Sequence, residues 1–250
     1  MISLVERALT FKPDSINHGA LRDRPHERIR IGSSHGLDLD AAWLQKPSPL
    51  AALFIHGNRH NLTKFGDHYD LFDSLGISCL AFDFPGYGQS AGSPTEESLY
   101  RSASAAYSFL TEKLGYQRER IVIYGCSLGG AVALNLVQKS SAACLITEST
   151  FTNLQEIAAH LYPWLPVRLL LPNRFNNSMS IKQIAVPHFL IHGANDKVVP
   201  VHMAHSLFER ANAPKELVIV PQASHTNTLV SGGAELRNQI AAFIEKATSV

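Results

Sequence analysis

The chain has 250 residues, of which 45% are hydrophobic and 17% charged, and its formal net charge is +1. That length suits one α/β domain over residues 1–250, and the apolar share suits a large buried core rather than a disordered chain. The near-neutral balance gives no electrostatic case for nucleic acid or an anionic membrane surface, and no uncharged apolar run nears the roughly 18 residues of a membrane span.

In chain order, Met1 to Thr10 contains Glu6 and Arg7 and no continuous apolar stretch, so no signal peptide is expected there. Arg22, Arg24, Arg28 and Arg30 are interrupted by Asp23 and Glu27, which suits a solvated hairpin edge. Residues 28–44 read as two strands around a polar turn at Ser33-Ser34-His35-Gly36. After Lys46-Pro47-Ser48-Pro49, short apolar runs alternate with helical patterns. The runs are Ala51–Ile55, Ile77–Phe82, Arg120–Tyr124, Ala143–Thr147, His188–Ile191 and Glu216–Val220. Helices are expected over roughly 63–75, 95–114, 128–139, 201–211 and 231–247. Strands rich in Val, Ile, Leu and Phe, each followed by a helix, imply a mostly parallel sheet covered on both faces.

Three cysteines, Cys79, Cys126 and Cys144, are an odd number without metal-ligand spacing. Two of them sit in apolar runs as small hydrophobes, which suits a reducing, cytoplasmic setting. Between Thr147 and Val186 lies the one long irregular insertion. Its prolines, in Tyr162-Pro163-Trp164-Leu165-Pro166 and Leu171-Pro172, forbid one continuous helix. Short helices forming a small cap over about 150–186 are expected.

The polar and Gly-rich residues gather after the strands, where open parallel sheets carry their sites. Ile121-Val122-Ile123-Tyr124 runs into Gly125-Cys126-Ser127-Leu128-Gly129-Gly130 and then a small-residue helix. A serine hydroxyl needs exposure and a base within hydrogen-bond reach to act as a nucleophile, and a strand-to-helix turn exposes it. The alternative is a Gly-rich turn with an inert serine. On such a turn the partners follow in the order acid, then histidine. His225, after the last strand, has that position among 12 histidines. His202 and His205 belong on the surface of an amphipathic helix, and His56 and His192, before glycines, suit loop hydrogen bonds. Asp196, after the His188–Ile191 run, is the candidate acid, its alternative role a helix N-cap. Glu148 is the reserve acid. Backbone N–H groups of Leu128 and of Asn58, in His56-Gly57-Asn58, are the expected oxyanion donors.

These segments resemble the α/β-hydrolase superfamily, and within it the BEM46-like group of ABHD13- and ABHD17-type serine hydrolases. His56-Gly57-Asn58 is similar to that group's oxyanion segment, and Phe82-Asp83-Phe84-Pro85-Gly86-Tyr87-Gly88-Gln89-Ser90-Ala91-Gly92 to its D-Y-R-G-Y-G-x-S-x-G stretch. Pro94-Thr95-Glu96, the Glu148–Asn153 region and the His192–Pro200 loop continue the likeness. Pro85 replaces a frequent arginine, and Thr226-Asn227 a common Asn-Asp. The group's membrane anchors and cysteine-rich N-terminal segments have no counterpart in the sequence, which weakens transfer of a lipidated-protein substrate. The resemblance implies an α/β-hydrolase fold of about eight strands with an N-terminal antiparallel hairpin, and Ser127, Asp196 and His225 as the catalytic triad.

The expected chemistry is cleavage of a carboxylic ester or thioester through an acyl-enzyme on Ser127. A peptidase or amidase on the same triad is the alternative, and a non-catalytic binding protein of the same fold a further one. Tyr162, Trp164 and Leu165 are candidates to line an acyl pocket, or only to pack the cap. No metal or cofactor is expected: there is no H-E-x-x-H and no paired ligand pattern, and Gly86, Gly88 and Gly92 form no dinucleotide fingerprint. The partner implied is a small-molecule or acyl substrate; oligomeric state is not written in these patterns.

Overall fold

A computed structural model describes residues 10–32, 36 and 38–249. Its eight-stranded sheet has the order β1-β2-β4-β3-β5-β6-β7-β8. The strands are β1 Glu27–Gly32, β2 Asp38–Leu44, β3 Ala51–Ile55, β4 Ser78–Phe82, β5 Ile121–Cys126, β6 Cys144–Glu148, β7 His188–Gly193 and β8 Lys215–Val220. β1 and β2 form an antiparallel hairpin paired antiparallel to β4, and the remaining strands run parallel. This is the α/β-hydrolase architecture. The hairpin turn at Ser33–His35 lies outside the described residues. Arg28 pairs with Asp40 and Arg30 with Asp38 across the hairpin, so those arginines serve the strand edge.

The long helices are α1 Gly66–Ser74, α2 Glu96–Ser108, α3 Leu128–Val137, α7 Val201–Arg210 and α8 Thr228–Thr248, and the segment between β6 and β7 adds the short α4 Leu154–Leu161, α5 Val167–Leu170 and α6 Asn177–Ser180. Alternation along the central strands sends side chains to two cores. Ala51, Leu53 and Ile55 of β3 pack with α2, α3 and α7, whereas Ala52 and Phe54 pack with α1 and α8. Every residue of α3 except Asn135 is buried. A helix apolar on all sides belongs at the centre of the molecule, and here it carries the residue after Ser127.

Most boundaries shift by a few residues from the sequence reading, and two of the differences have a structural cause. The second helix ends at Ser108 in regular α geometry and continues as a π-turn over Phe109–Lys113. The last helix begins at Thr228, ahead of the expected 231, and bends at Gly233, whose φ is 55°. Leu229, Leu236 and Ile240 are buried on both sides of the bend, so packing joins what a Gly-Gly pair would divide. Among the described residues, no helix is long and apolar enough to cross a membrane.

Candidate active site

Ser127 stands between β5 and α3 with φ 53° and ψ −112°, a region that non-glycine residues seldom occupy. Its N–H donates to the Glu148 carbonyl at 2.7 Å, which ties the turn to the end of β6. The tightness of the turn requires the flanking glycines. A Cβ on Gly125 would run into the Gly129 backbone, and one on Gly129 would overlap the carbonyl oxygens of Ile55 and His56 at the end of β3.

The parallel register sets the ends of β5, β7 and β8 on one side of the sheet. There the structure brings Ser127, His225 and Asp196 together: His225 Nε2 lies 3.1 Å from Ser127 Oγ, and its Nδ1 lies 2.7 Å from Asp196 Oδ2. The other carboxylate oxygen of Asp196 accepts the Val198 and Val199 N–H groups, both at 2.8 Å. Pro200, not Asp196, occupies the N-cap position of the following helix. His192 Nε2 donates to the Val199 carbonyl at 2.8 Å and bolts the same loop. Burial pushes the Asp196 carboxyl up, but the His225 hydrogen bond and charge and the Val199 N–H together hold it below the ordinary carboxylate range.

The loop after β3 reaches the same place. A Cβ on Gly57 would lie 3.5 Å from the Ser127 Cβ, so the His56-Gly57-Asn58 backbone passes directly beside the serine. Asn58 Oδ1 accepts the Lys12 N–H and the Tyr87 hydroxyl, and its Nδ2 donates to the Thr10 carbonyl, so the side chain pins the loop. Leu128 opens α3, where first-turn N–H groups lack intrahelical acceptors. His56 accepts the Phe84 N–H at Nε2, so its proton sits on Nδ1 and donates to the Gly57 carbonyl at 2.7 Å. Burial lowers its pKa to about 4, and the neutral ring is a loop brace.

Glu148 faces a different set of partners. Its Oε2 accepts from Tyr124 at 2.7 Å and His68 at 2.8 Å, and its Oε1 accepts the Thr228 hydroxyl. His68, Tyr124 and Thr228 carry no local signal in the sequence; they come from α1, β5 and α8 and meet only in the fold. Burial pushes the Glu148 carboxyl up, yet the His68 charge and the hydrogen bonds leave it below the ordinary glutamate value. A carboxyl with a depressed folded-state pKa contributes stability above its unfolded pKa and loses it as pH falls through the folded value. Glu148→Gln should therefore flatten the acid limb of stability as pH falls through and below the ordinary glutamate range, read as urea midpoints against pH.

Two groups among the described residues have metal-ligand chemistry: Asp14 with His18 and His60, and His68 with Cys126 and Glu148. In the first, Asp14 already accepts from both rings and from Asn61. In the second, burial holds the Cys126 thiol far up in its protonated form, a poor ligand.

Tyr162 and Leu165 are half-buried against the small cluster Ala158, Val167 and Leu171. Trp164, though its ring meets Tyr162 edge-on at 6.2 Å, is 76% exposed. The cap touches the candidate site through His160 of α4, whose Nε2 donates to the Lys197 carbonyl at 3.0 Å, next to Asp196.

The family model described as the alpha/beta hydrolase fold matches residues 53–181, from β3 through the serine turn into the cap. The chain belongs to the α/β-hydrolase family. This hydrolase spans about six-tenths of the length of the two ABHD proteins it matches. It is 31% identical over 229 residues to the lysophosphatidylserine lipase ABHD12 of Danio rerio, covering 78% of this chain and 59% of that one. It is 31% identical over 181 residues to the alpha/beta hydrolase domain-containing protein 17B of Homo sapiens, covering 72% and 62%. An uncharacterized protein of Mycobacterium tuberculosis, Rv2307c, is 34% identical over 194 residues, covering 78% and 69%. Among solved structures, the Pyrococcus furiosus esterase PF2001 superposes with a TM-score of 0.80 at 20% identity, covering 95% of this hydrolase and 98% of the esterase. That likeness is one of fold.

Proposed function

We propose that this hydrolase cleaves a carboxylic ester or thioester through an acyl-enzyme on Ser127, with His225 as base and Asp196 as its orienting acid. The observation that carries the reading is the continuous relay Ser127 Oγ to His225 Nε2, and His225 Nδ1 to Asp196 Oδ2, at 3.1 and 2.7 Å. Asp196 fixes the tautomer with the proton on Nδ1, so Nε2 presents a lone pair to the serine hydroxyl. Ser127 Oγ attacks the carbonyl carbon while its proton moves to Nε2. The N–H groups of Leu128 and Asn58 hold the resulting oxyanion. His225 then gives that proton to the leaving alcohol or thiol as the acyl-enzyme forms. Water, losing a proton to Nε2, cleaves the acyl-enzyme and frees the acid and Ser127.

The lipase name borne by the ABHD12 relative favours an acyl ester over a peptide or amide on the same three residues. Tyr162 and Leu165, half-buried beside α4, are the candidate walls of the acyl site, with Trp164 at its outer rim. The test is intact-mass labelling with a fluorophosphonate. A single adduct on the wild type that is absent from Ser127→Ala is expected. A folded wild type that takes no label, or a variant that still takes it, overturns the assignment.

A further inference from the structure

We infer that the outer face of the cap docks on the surface of an anionic phospholipid bilayer. Val167, which opens α5, and Leu171, the residue just after it, are four residues apart and both buried. An amphipathic segment would then place polar residues outside. Here the outside is Leu169, 87% exposed, and Leu170, 44% exposed, with Leu161 and Trp164 exposed just before them. Four large apolar side chains within residues 161–170 face water, and no other described segment exposes so many together, the kind of patch that marks a docking site. Tryptophan at the edge of such a patch suits the boundary of a bilayer, where an apolar ring and a polar N–H are both accommodated.

The charges choose the occupant. Residues 157–195 contain no Asp or Glu, while Arg168, Arg174 and Lys182 all fall within them. Arg174 reaches Glu96, 3.4 Å away, and Arg168 and Lys182 are exposed. Arg168 lies inside the apolar patch itself. A net charge of +1 over the chain conceals this local asymmetry, so the whole-chain balance is a poor guide to membrane binding. A second copy seated through the same face would bring Arg168 against a like-charged surface, whereas anionic headgroups neutralise it. The face also adjoins the candidate site through the His160 bond to the Lys197 carbonyl, so docking would hold that site at a lipid surface.

The chain carries its own reporter. Of its two tryptophans, Trp43 is buried and Trp164 is 76% exposed, so an environment-dependent emission shift reads the cap. The experiment mixes the full chain with unilamellar vesicles of phosphatidylcholine, with and without phosphatidylglycerol. Expected are a blue shift and co-sedimentation with the mixed vesicles, weaker by roughly tenfold on phosphatidylcholine alone. The double variant Trp164→Ala/Leu169→Ala, read by sedimentation, should lose roughly tenfold or more in partitioning, and Arg168→Glu should lose the preference for anionic lipid. Both variants alter exposed positions, and thermal melts followed by circular dichroism verify that they are folded. Failure of the wild type to partition overturns the proposal, as does partitioning indifferent to the substitutions in folded protein. A blue shift without vesicles that rises with protein concentration as the mass doubles also overturns it, in favour of a second copy. No turnover enters the measurement, so its failure leaves the acyl-hydrolase reading standing.

Discussion

In ester turnover, Asp196→Asn is expected to lower kcat by about four orders of magnitude, while Glu148→Gln stays within about tenfold of the wild type. The asymmetry comes from what each carboxylate touches. Asp196 Oδ2 is 2.7 Å from His225 Nδ1, so in the proposed mechanism it sets which ring nitrogen faces Ser127 and stabilises the imidazolium formed during attack. An amide there can present its NH2 to Nδ1 and favour the wrong tautomer, leaving a proton on Nε2 where a lone pair is needed. The loop geometry survives, because the other oxygen still accepts from Val198 and Val199. Glu148 instead holds His68, Tyr124 and Thr228 beneath the serine turn. Its loss costs packing order and stability more than the relay. Steady-state kinetics on p-nitrophenyl esters of increasing chain length, at matched folded fraction, measure both. If Glu148→Gln abolishes turnover and Asp196→Asn leaves it intact, the acid is misassigned.

Gly129→Ala is expected to remove about 4 kcal/mol or more of stability, enough to leave the chain largely unfolded at ordinary temperature. The added methyl would occupy space held by the carbonyl oxygens of Ile55 and His56. Neither oxygen belongs to a flexible side chain. Ile55 ends β3, which is hydrogen-bonded between β4 and β5, and α3 is buried on almost all sides. Accommodation therefore means moving α3 off the sheet, with loss of the apolar contact between them. Gly115→Ala is the control for glycine replacement as such: nothing lies within 4 Å of its Cβ position, and its cost comes from a φ of 75° alone. Urea denaturation followed by circular dichroism separates the two. A Gly129→Ala chain as stable as the control would mean that the turn relaxes freely and that its glycine serves no packing purpose.

What the sequence alone determined was local. Alternating Val, Ile, Leu and Phe with helical patterns between them specifies parallel strands, because neighbouring residues decide the pleat and the helix face. The Gly-x-Ser-x-Gly turn was legible for the same reason: five consecutive residues encode one strand-to-helix reversal. The BEM46-like resemblance rested on such contiguous segments too. Other features needed the tertiary structure. The sequence offered Asp196 as the candidate acid and Glu148 as the reserve, but both follow strands and precede irregular chain, and the contacts of each carboxylate are not written locally. The fold decides them by strand order, since β7 and β8 are adjacent and set Asp196 against His225, while His68, Tyr124 and Thr228 enclose Glu148. Helix α8 crosses a Gly-Gly pair because Leu229, Leu236 and Ile240 bury against the sheet, a gain that outweighs the backbone freedom of two glycines. In the cap, Val167 and Leu171 point inward and Trp164 and Leu169 outward, a division that one short turn of helix cannot announce. Backbone preference and periodicity act over a few residues and so are written in order along the chain. The partner of a buried charge, and the side of a short apolar segment left facing water, depend on which distant elements arrive to desolvate them.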